Sequence, residues 1–154
     1  MRRYLAIDIG ASSGRHIVGW REGGELKTEE VFRFPNGPIR RGGALVWDIE
    51  ALLGNVKAGV AAAREKYPDL VSLSVDTWGV DYVLMAGDEP IGPAYAYRDA
   101  RSLAVVDEVH ARVPFEELYA RTAYSSRAST PLYQSAPTSA AGRLGRRRAF
   151  VDCW

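Results

Sequence analysis

Apolar residues near the amino end form strand-like runs that are separated by glycine-rich turns. The run YLAIDI at 4–9 is almost continuously apolar, which is typical of a buried strand. The turn GASSG at 10–14 leads into a second run, RHIVGWR. The segment KTEEVFRF alternates apolar and polar residues and predicts a third strand. We therefore expect an antiparallel meander of three strands.

A long amphipathic helix is predicted at 47–68, after a proline- and glycine-rich loop at 35–43. Its apolar residues recur at three- and four-residue spacing, which places them on one buried face. Asp48 is a suitable N-cap, and Pro68 blocks continuation of the helix.

The remaining pattern predicts two further strands and two shorter helices. The segments LVSLSVD and VDYVLMA predict strands, the first of them buried. After the turn GDEP, the segments RSLAVVDEVHARV and FEELYAR predict the helices. A meander that is followed by a helix and a return strand predicts an α/β fold, with a mixed sheet and helical cover.

Charge and composition narrow the classes of partner. The formal net charge of +1 argues against nucleic acid or an anionic membrane as an obligatory partner. The single cysteine, Cys153, provides neither a disulfide framework nor a cysteine-based metal site. No apolar run has the length of a signal peptide or a membrane helix, so we expect a cytoplasmic location. The sequence indicates no partner protein.

The turn after the first predicted strand carries candidate chemistry. Asp8 lies at the carboxyl end of that strand, where α/β proteins commonly place a site, and it could hold Mg²⁺ through water. The backbone amides of Ala11–Gly14 can form an anion-binding nest. The hydroxyls of Ser12 and Ser13 and the guanidinium of Arg15 can donate further hydrogen bonds to phosphate. The alternative is an aspartate that ends a strand in a purely structural hairpin.

This turn matches neither of the two common phosphate-binding motifs. The sequence has no GxxxxGK[ST], and a strand follows the turn where a dinucleotide-binding motif requires a helix. A phosphate loop within a hairpin indicates instead the actin-like ATPase architecture, in which antiparallel hairpins bind phosphate.

A second candidate segment is DTWGVDYVL, in which Asp76 and Asp81 flank Trp78 and Gly79. Glycine allows a ligand to approach the backbone closely. The tryptophan could stack on a sugar or fill the core. On pattern alone, a strand–turn–strand with no ligand is the alternative interpretation.

Five segments together resemble the rhamnulokinases of the FGGY carbohydrate kinase family, in order and in spacing. The resemblance extends from Tyr4 to Thr122. It implies an α/β, ribonuclease-H-like (actin-like ATPase) fold, with 1–122 as part of the kinase N-terminal domain. It also implies phosphorylation of L-rhamnulose at its 1-hydroxyl with Mg-ATP, in a cleft between two domains. The segments are AIDIGASSGR, FRFPNGP, WDIEALL, SVDTWGVDYVL and AYRDAR.

The resemblance also implies a role for individual residues at the ATP phosphates. Asp8 matches the aspartate that lies near the metal and the phosphates. The family's ATP-phosphate loop is matched by Ala11, Ser12, Ser13, Gly14 and Arg15.

On the sugar side, Gly79 matches a glycine that contacts the substrate, and Trp78 and Asp81 are weaker candidates. Arg98 and Asp99 lie in the family's YRD segment, which borders the sugar.

The resemblance assigns no catalytic residue to this chain. Family members are about three times as long, and their catalytic base is the aspartate of a His-Asp-Thr segment that this sequence lacks. Phosphoryl transfer needs an oriented hydroxyl as well as charge neutralisation, so we expect the chain to be inactive alone. A binding module that needs a second polypeptide and a purely structural α/β domain remain the alternatives.

The segment 123–154 differs in composition from the rest of the chain. It holds one acidic residue, Asp152, and five arginines, among alanine, serine, proline and glycine. We interpret it, apart from Leu132–Gln134, as out-of-frame translation that forms a disordered tail. The alternative is a natural basic or disordered tail, with GRLGRRR as a weak targeting or nucleic-acid patch.

Overall fold

A computed structural model of the chain describes residues 1–123, 128–140 and 149–152. None of the helices in these ranges combines the length and the apolar character needed to cross a bilayer. The elements in chain order are β1 Arg3–Ile9, β2 Ser13–Glu22, β3 Glu25–Pro35, β4 Ile39–Arg41, β5 Ala44–Val46, α1 Ile49–Lys66, β6 Leu70–Thr77, β7 Tyr82–Ala86, β8 Glu89–Pro90, a 3-10 helix Ala100–Val105, α2 Val106–Arg112, α3 Phe115–Thr122, α4 Pro131–Ala140 and β9 Ala149–Asp152.

The described residues form two compact units. The first unit, Met1–Gly37 with Asp48–Gly79, contains a four-stranded sheet of order β3-β2-β1-β6. The meander β1-β2-β3 is antiparallel, and β6 is parallel to β1, so the predicted mixed sheet is confirmed.

Helix α1 covers one face of this sheet and ends where the sequence predicts. Asp48 Oδ1 accepts a hydrogen bond from the amide of Ala51, and the helix stops at Lys66, before Pro68. The core beneath the helix consists of apolar side chains from β1, β2, β3 and α1: Leu5, Ile7, Ile9, Val18, Phe34 and Ala63.

Strand β6 lies at the edge of the sheet and is exposed, although its sequence predicted a buried strand. Leu73 and Val75 are the register partners of Leu5 and Ile7, which are buried. Yet Leu73 remains 54% exposed and Val75 46%. The reason is that α1 packs on β2 and β3, so the face of β6 has no comparable cover among the described residues.

The second unit comprises Pro38–Trp47 and the described residues from Val80 onward. Within the predicted loop at 35–43, the structure has strand β4, which pairs with β5 in a hairpin. Gly42 and Gly43 form its turn with φ of 58° and 84°, which glycine adopts without strain. The first of the two predicted short helices begins as the 3-10 helix and continues as α2, and the second is α3.

Among the described residues beyond Thr122, two stretches have regular structure, whereas the sequence predicted a disordered tail. Helix α4 occupies Pro131–Ala140, and β9 pairs antiparallel with β7. Within α4, the side chains of Tyr133 and Gln134 are both 1% exposed. Burial of these two side chains explains why a helix forms here without an amphipathic pattern along its length.

Candidate functional site

The candidate phosphate turn is Gly10–Ser12, between β1 and β2. The amide of Gly10 donates to the carbonyl of Ser13 at 2.9 Å. Asn36, which follows β3, donates from its side chain to Gly10 O at 2.8 Å and from its backbone to Ser12 O at 3.0 Å. The two bonds from Asn36 use carbonyl oxygens of the turn, so they fix it without occupying the amides of Ala11 and Ser12.

Three residues of the predicted loop, Ser13, Gly14 and Arg15, lie within β2. Ser13 and Gly14 begin the strand, and Gly14 pairs with Ile9 on one side and Phe34 on the other. A Cβ atom at Gly14 would overlap the ring of Phe34. The close approach of this ring therefore explains the glycine without any ligand.

Asp8 and Arg15 form an ion pair beside the turn. They are register partners on β1 and β2, and Asp8 Oδ2 accepts from Arg15 Nε at 2.9 Å and lies 2.8 Å from its terminal nitrogen. Both side chains are nearly half exposed, so water and ligands can reach them. In this structure the guanidinium of Arg15 thus donates to Asp8, whereas the sequence predicted that Arg15 donates to phosphate.

The register extends this pair into a row of four charged residues across the sheet. Arg33 on β3 pairs with Arg15, and Asp76 on β6 pairs with Asp8. A hydrogen bond from Arg33 to Glu30 raises the pKa of Arg33, and the charge of Asp8 raises it further. No cluster of three metal-ligating side chains occurs within the described ranges. Two adjacent carboxylates, at the carboxyl ends of parallel strands, still suit a magnesium ion that keeps most of its waters.

The candidate sugar segment begins within β6, and its residue Trp78 directly follows the strand. Trp78 is half-buried and packs against the core of the first unit. Gly79 follows it and is also half-buried. The position of Trp78 agrees with the core-filling alternative for this side chain.

Asp81 belongs to the second unit and is 1% exposed. Its Oδ2 accepts a hydrogen bond from the indole Nε1 of Trp47 at 2.7 Å. Burial of the carboxylate within its own unit gives Asp81 a structural contact in place of the sugar contact expected for it.

The two residues of the YRD segment have different environments. Arg98 is exposed, with its guanidinium 5.2 Å from the ring centre of Tyr97. Asp99 is buried and accepts from the amides of Leu45 at 2.6 Å and of Arg101 at 3.0 Å. Asp99 therefore caps the 3-10 helix and anchors β5, and Arg98 is the residue of this pair that is accessible to a ligand.

Two residues near these segments carry no role in the sequence analysis. Asn36 fixes the turn, and Gln134 contacts the backbone after Gly79. Asn36 lies in FRFPNGP, one of the segments that carry the resemblance, so a signal for it existed. The contact of Gln134 joins positions 54 residues apart, and no local pattern predicts it.

Curated relatives match most of the chain. It is 39% identical to the rhamnulokinase of Halalkalibacterium halodurans over 135 residues, which are 87% of the chain and 29% of that protein. It is 37% identical to the rhamnulokinase of Bacteroides thetaiotaomicron over 122 residues, 79% of the chain and 25% of that protein. The chain thus spans between a quarter and a third of the length of these relatives. No protein-family model matches it.

Solved structures confirm the predicted fold class. A xylulose kinase from Lactobacillus acidophilus superposes with a TM-score of 0.75 at 13% identity, covering 93% of the chain and 29% of that protein. A glycerol kinase from Plasmodium falciparum superposes at 0.68 and 13% identity, covering 98% of the chain and 32% of that protein. Both neighbours have the actin-like ATPase fold, and at such low identity they show the fold alone.

Proposed function

Because the chain belongs to the rhamnulokinase family, we propose that it supplies the phosphate grip and part of the sugar wall of an ATP-dependent L-rhamnulose kinase. The observation that carries this proposal is the turn Gly10–Ser12, held by Asn36 beside a row of charges at one edge of the sheet. A fixed backbone turn next to an exposed carboxylate and guanidinium is suited to a nucleotide phosphate and its metal.

At the phosphate end, each residue has a distinct proposed contact. The amides of Ala11 and Ser12 and the hydroxyls of Ser12 and Ser13 would donate to phosphate oxygens. Arg15 would leave Asp8 to pair with phosphate. Asp8 would then hold the magnesium ion through water, and the bound ion would neutralise phosphate charge. Gly14 acts through its contact with Phe34, which positions the start of β2.

At the sugar end, we propose Gly79 and Arg98 as two separate contacts to the sugar. Arg98 is exposed. Gly79 is half-buried, as Trp78 is, but it has no side chain, so a ligand can approach its backbone closely. Trp78 and Asp81 would shape the segment through their packing and the hydrogen bond to Trp47.

We expect this chain alone not to phosphorylate L-rhamnulose. The residues that the resemblance assigns to phosphate and sugar include no base for the accepting hydroxyl, and phosphoryl transfer depends on an oriented nucleophile. A coupled assay with L-rhamnulose and Mg-ATP checks this, and phosphorylation by the chain alone would contradict it.

An amide-resolved NMR titration tests the phosphate grip. Mg-ATP and Mg-ADP should shift the resonances of 11–15, and adenosine should not, because the grip recognises phosphate. The variant Asn36→Ala should weaken these shifts, because it removes the side-chain hydrogen bond that holds the carbonyl of Gly10. Asn55→Ala, on the exposed face of α1, is the matched control and should keep them. Equal shifts with adenosine, or none at 11–15, would refute the grip.

We further propose that 1–122 is a partial kinase domain and that translation leaves the family's reading frame at Ala123 and returns to it at Leu132–Gln134. Ala123 caps α3 with φ of 55°, a conformation that favours glycine over alanine. Tyr133 and Gln134 are both buried and hydrogen-bonded, as evolved core residues are. Sequencing the genomic DNA across Thr122 tests this, and DNA whose shifted frames encode no rhamnulokinase-like residues between 123 and 131 would rule it out.

A further inference from the structure

The backbone at Val80 has a conformation that valine rarely adopts. Its φ is 75°, in the left-handed region, where the Cβ atom of a branched side chain is crowded. Val80 lies directly between Gly79 and Asp81, in the candidate sugar segment. Strained backbone of this kind persists only where surrounding contacts hold it, and it concentrates at ligand sites.

Gln134 supplies such a contact from α4. Its side-chain nitrogen donates to the carbonyl of Val80 at 2.7 Å and to the carbonyl of Ser129 at 2.9 Å. The side chain is 1% exposed, so water does not compete for these bonds. The two bonds join the strained residue to the segment that precedes α4.

Gln134 is itself held in place by the strand that follows Val80. The hydroxyl of Tyr82 donates to the carbonyl of Gln134 at 2.9 Å. Tyr82 is 5% exposed and lies at the start of β7. The bonds from Gln134 to Val80 and from Tyr82 to Gln134 therefore close a loop that fixes the backbone of residues 80–82.

The neighbour of Gln134 in α4 adds a further anchor. The hydroxyl of Tyr133 lies 2.8 Å from His110 Nε2 on α2, and the Tyr133 side chain is 1% exposed. The contact between α2 and α4 thus fixes the position of Gln134. Its side-chain amide stays within hydrogen-bond distance of the Val80 carbonyl.

We propose that Gln134 is a positioning residue, which holds the strained Val80 carbonyl and thereby sets the backbone that presents Gly79 to a sugar. The sugar assignment rests on the proposed function, whereas the contact between Gln134 and Val80 does not. The role makes the short segment Leu132–Gln134 part of the binding apparatus, although it lies far from the sugar segment along the chain.

Hydrogen exchange on the full chain tests the backbone role. Gln134→Ala should raise the exchange rate of the amides of 80–82 at least about tenfold, because the local opening becomes easier. Ser135→Ala is the matched control: Ser135 is the next residue in α4, and its hydroxyl contacts only the carbonyl of Leu132 within its own turn. Should Gln134→Ala fail to fold, Tyr82→Phe removes the anchoring hydroxyl alone and should raise exchange at the same amides.

Val80→Gly sharpens the test, because glycine adopts positive φ without strain. In the Val80→Gly background, Gln134→Ala should have a clearly smaller effect on exchange than in the wild type. Equal effects in both backgrounds would mean that the two residues act independently, and would overturn the proposal. Unchanged exchange in a folded Gln134→Ala variant would overturn it as well.

Calorimetry with L-rhamnulose connects the backbone to binding. Gln134→Ala should weaken binding about tenfold, and Val80→Gly together with Gln134→Ala should recover most of it. If the wild-type chain binds the sugar and Gln134→Ala binds it equally well, the positioning role fails. A wild-type chain that binds no L-rhamnulose refutes the sugar assignment itself, and the exchange experiment then decides the backbone contact separately.

Discussion

The two units bury different kinds of side chain. In the first unit, the described core is apolar except for His16, which is fully buried between Phe32 and Phe34. In the second unit, four polar side chains are buried along with the apolar ones: Asp81, Asp99, Ser102 and Gln134.

Because their cores differ, the two units should tolerate different substitutions. An apolar core under one helix depends on shape, because close-packed interiors have little room for added atoms. A core with buried polar groups depends on hydrogen-bond partners, because a buried donor or acceptor without one is costly. The first unit should therefore respond most to added volume and the second to a removed partner.

The largest expected effect is a steric one in the first unit. A Cβ atom at Gly59 of α1 would overlap the His16 ring, so Gly59→Ala should destabilise the first unit by about 3 kcal/mol or more. Gly54→Ala, on the same helix with open space around it, should stabilise by about 0.5–1 kcal/mol. Urea unfolding followed by circular dichroism measures both. Similar effects at the two glycines would contradict the shape-dependent core.

The next effect is a lost partner in the second unit. Asp81→Ala leaves the Trp47 indole N–H without this acceptor, and should cost about 2 kcal/mol. Asp88→Ala, in the exposed turn before β8, should change stability by less than about 0.5 kcal/mol. Tryptophan fluorescence during urea unfolding measures the difference. If Asp81→Ala lowers the free energy of unfolding as little as Asp88→Ala does, buried hydrogen bonds do not dominate the stability of the second unit.

A smaller effect concerns pH and His16. Burial lowers the pKa of His16, against a weaker opposing influence of the hydrogen bond to the Val56 carbonyl. The imidazole of His16 therefore binds a proton near pH 6.5 in the unfolded chain, but only at a lower pH in the folded unit. Stability should fall as pH decreases below about 6.5, until pH reaches the lowered pKa of the folded His16.

Urea unfolding at several pH values measures this slope. His16→Phe should remove it, because phenylalanine has no proton to bind in this pH range. A slope that survives His16→Phe would assign the pH dependence to another group.

The smallest effect on stability is expected at the exposed edge strand. Leu73→Lys on β6 should change the free energy of unfolding by less than about 0.5 kcal/mol, because Leu73 is 54% exposed. It should nevertheless reduce aggregation in light scattering, since a charge on an edge strand blocks pairing with other chains. Leu103→Lys, at an exposed leucine outside any strand, should reduce aggregation less. Equal reductions in aggregation for the two variants would contradict a specific role of the edge strand β6.

Local patterns predicted much of the first unit. The periodicity of α1 and its cap at Asp48 need only neighbouring residues, and so does the meander β1–β3. The exposure of β6 was not predictable, because its apolar pattern is that of a covered strand and its cover depends on distant segments.

The candidate site was predictable to a different degree at its two ends. Asp8 and Arg15 face each other as expected for a hairpin, but the register that adds Arg33 and Asp76 depends on tertiary pairing. The left-handed backbone at Val80 could not be inferred, because valine carries no signal for it. The hydrogen bond from Trp47 to Asp81 was not predictable either, because it joins residues that are 34 positions apart.

The central claim is that Met1–Thr122 carries the phosphate and sugar contacts of a rhamnulose kinase. It is tested most directly by replacing the corresponding segment of the Halalkalibacterium halodurans rhamnulokinase with these residues and measuring ATP-dependent phosphorylation of L-rhamnulose. The account predicts an active chimaera that loses at least about a hundredfold in rate with Asp8→Ala and almost nothing with Asp88→Ala. A folded chimaera without activity, or one that is indifferent to Asp8→Ala, would contradict it.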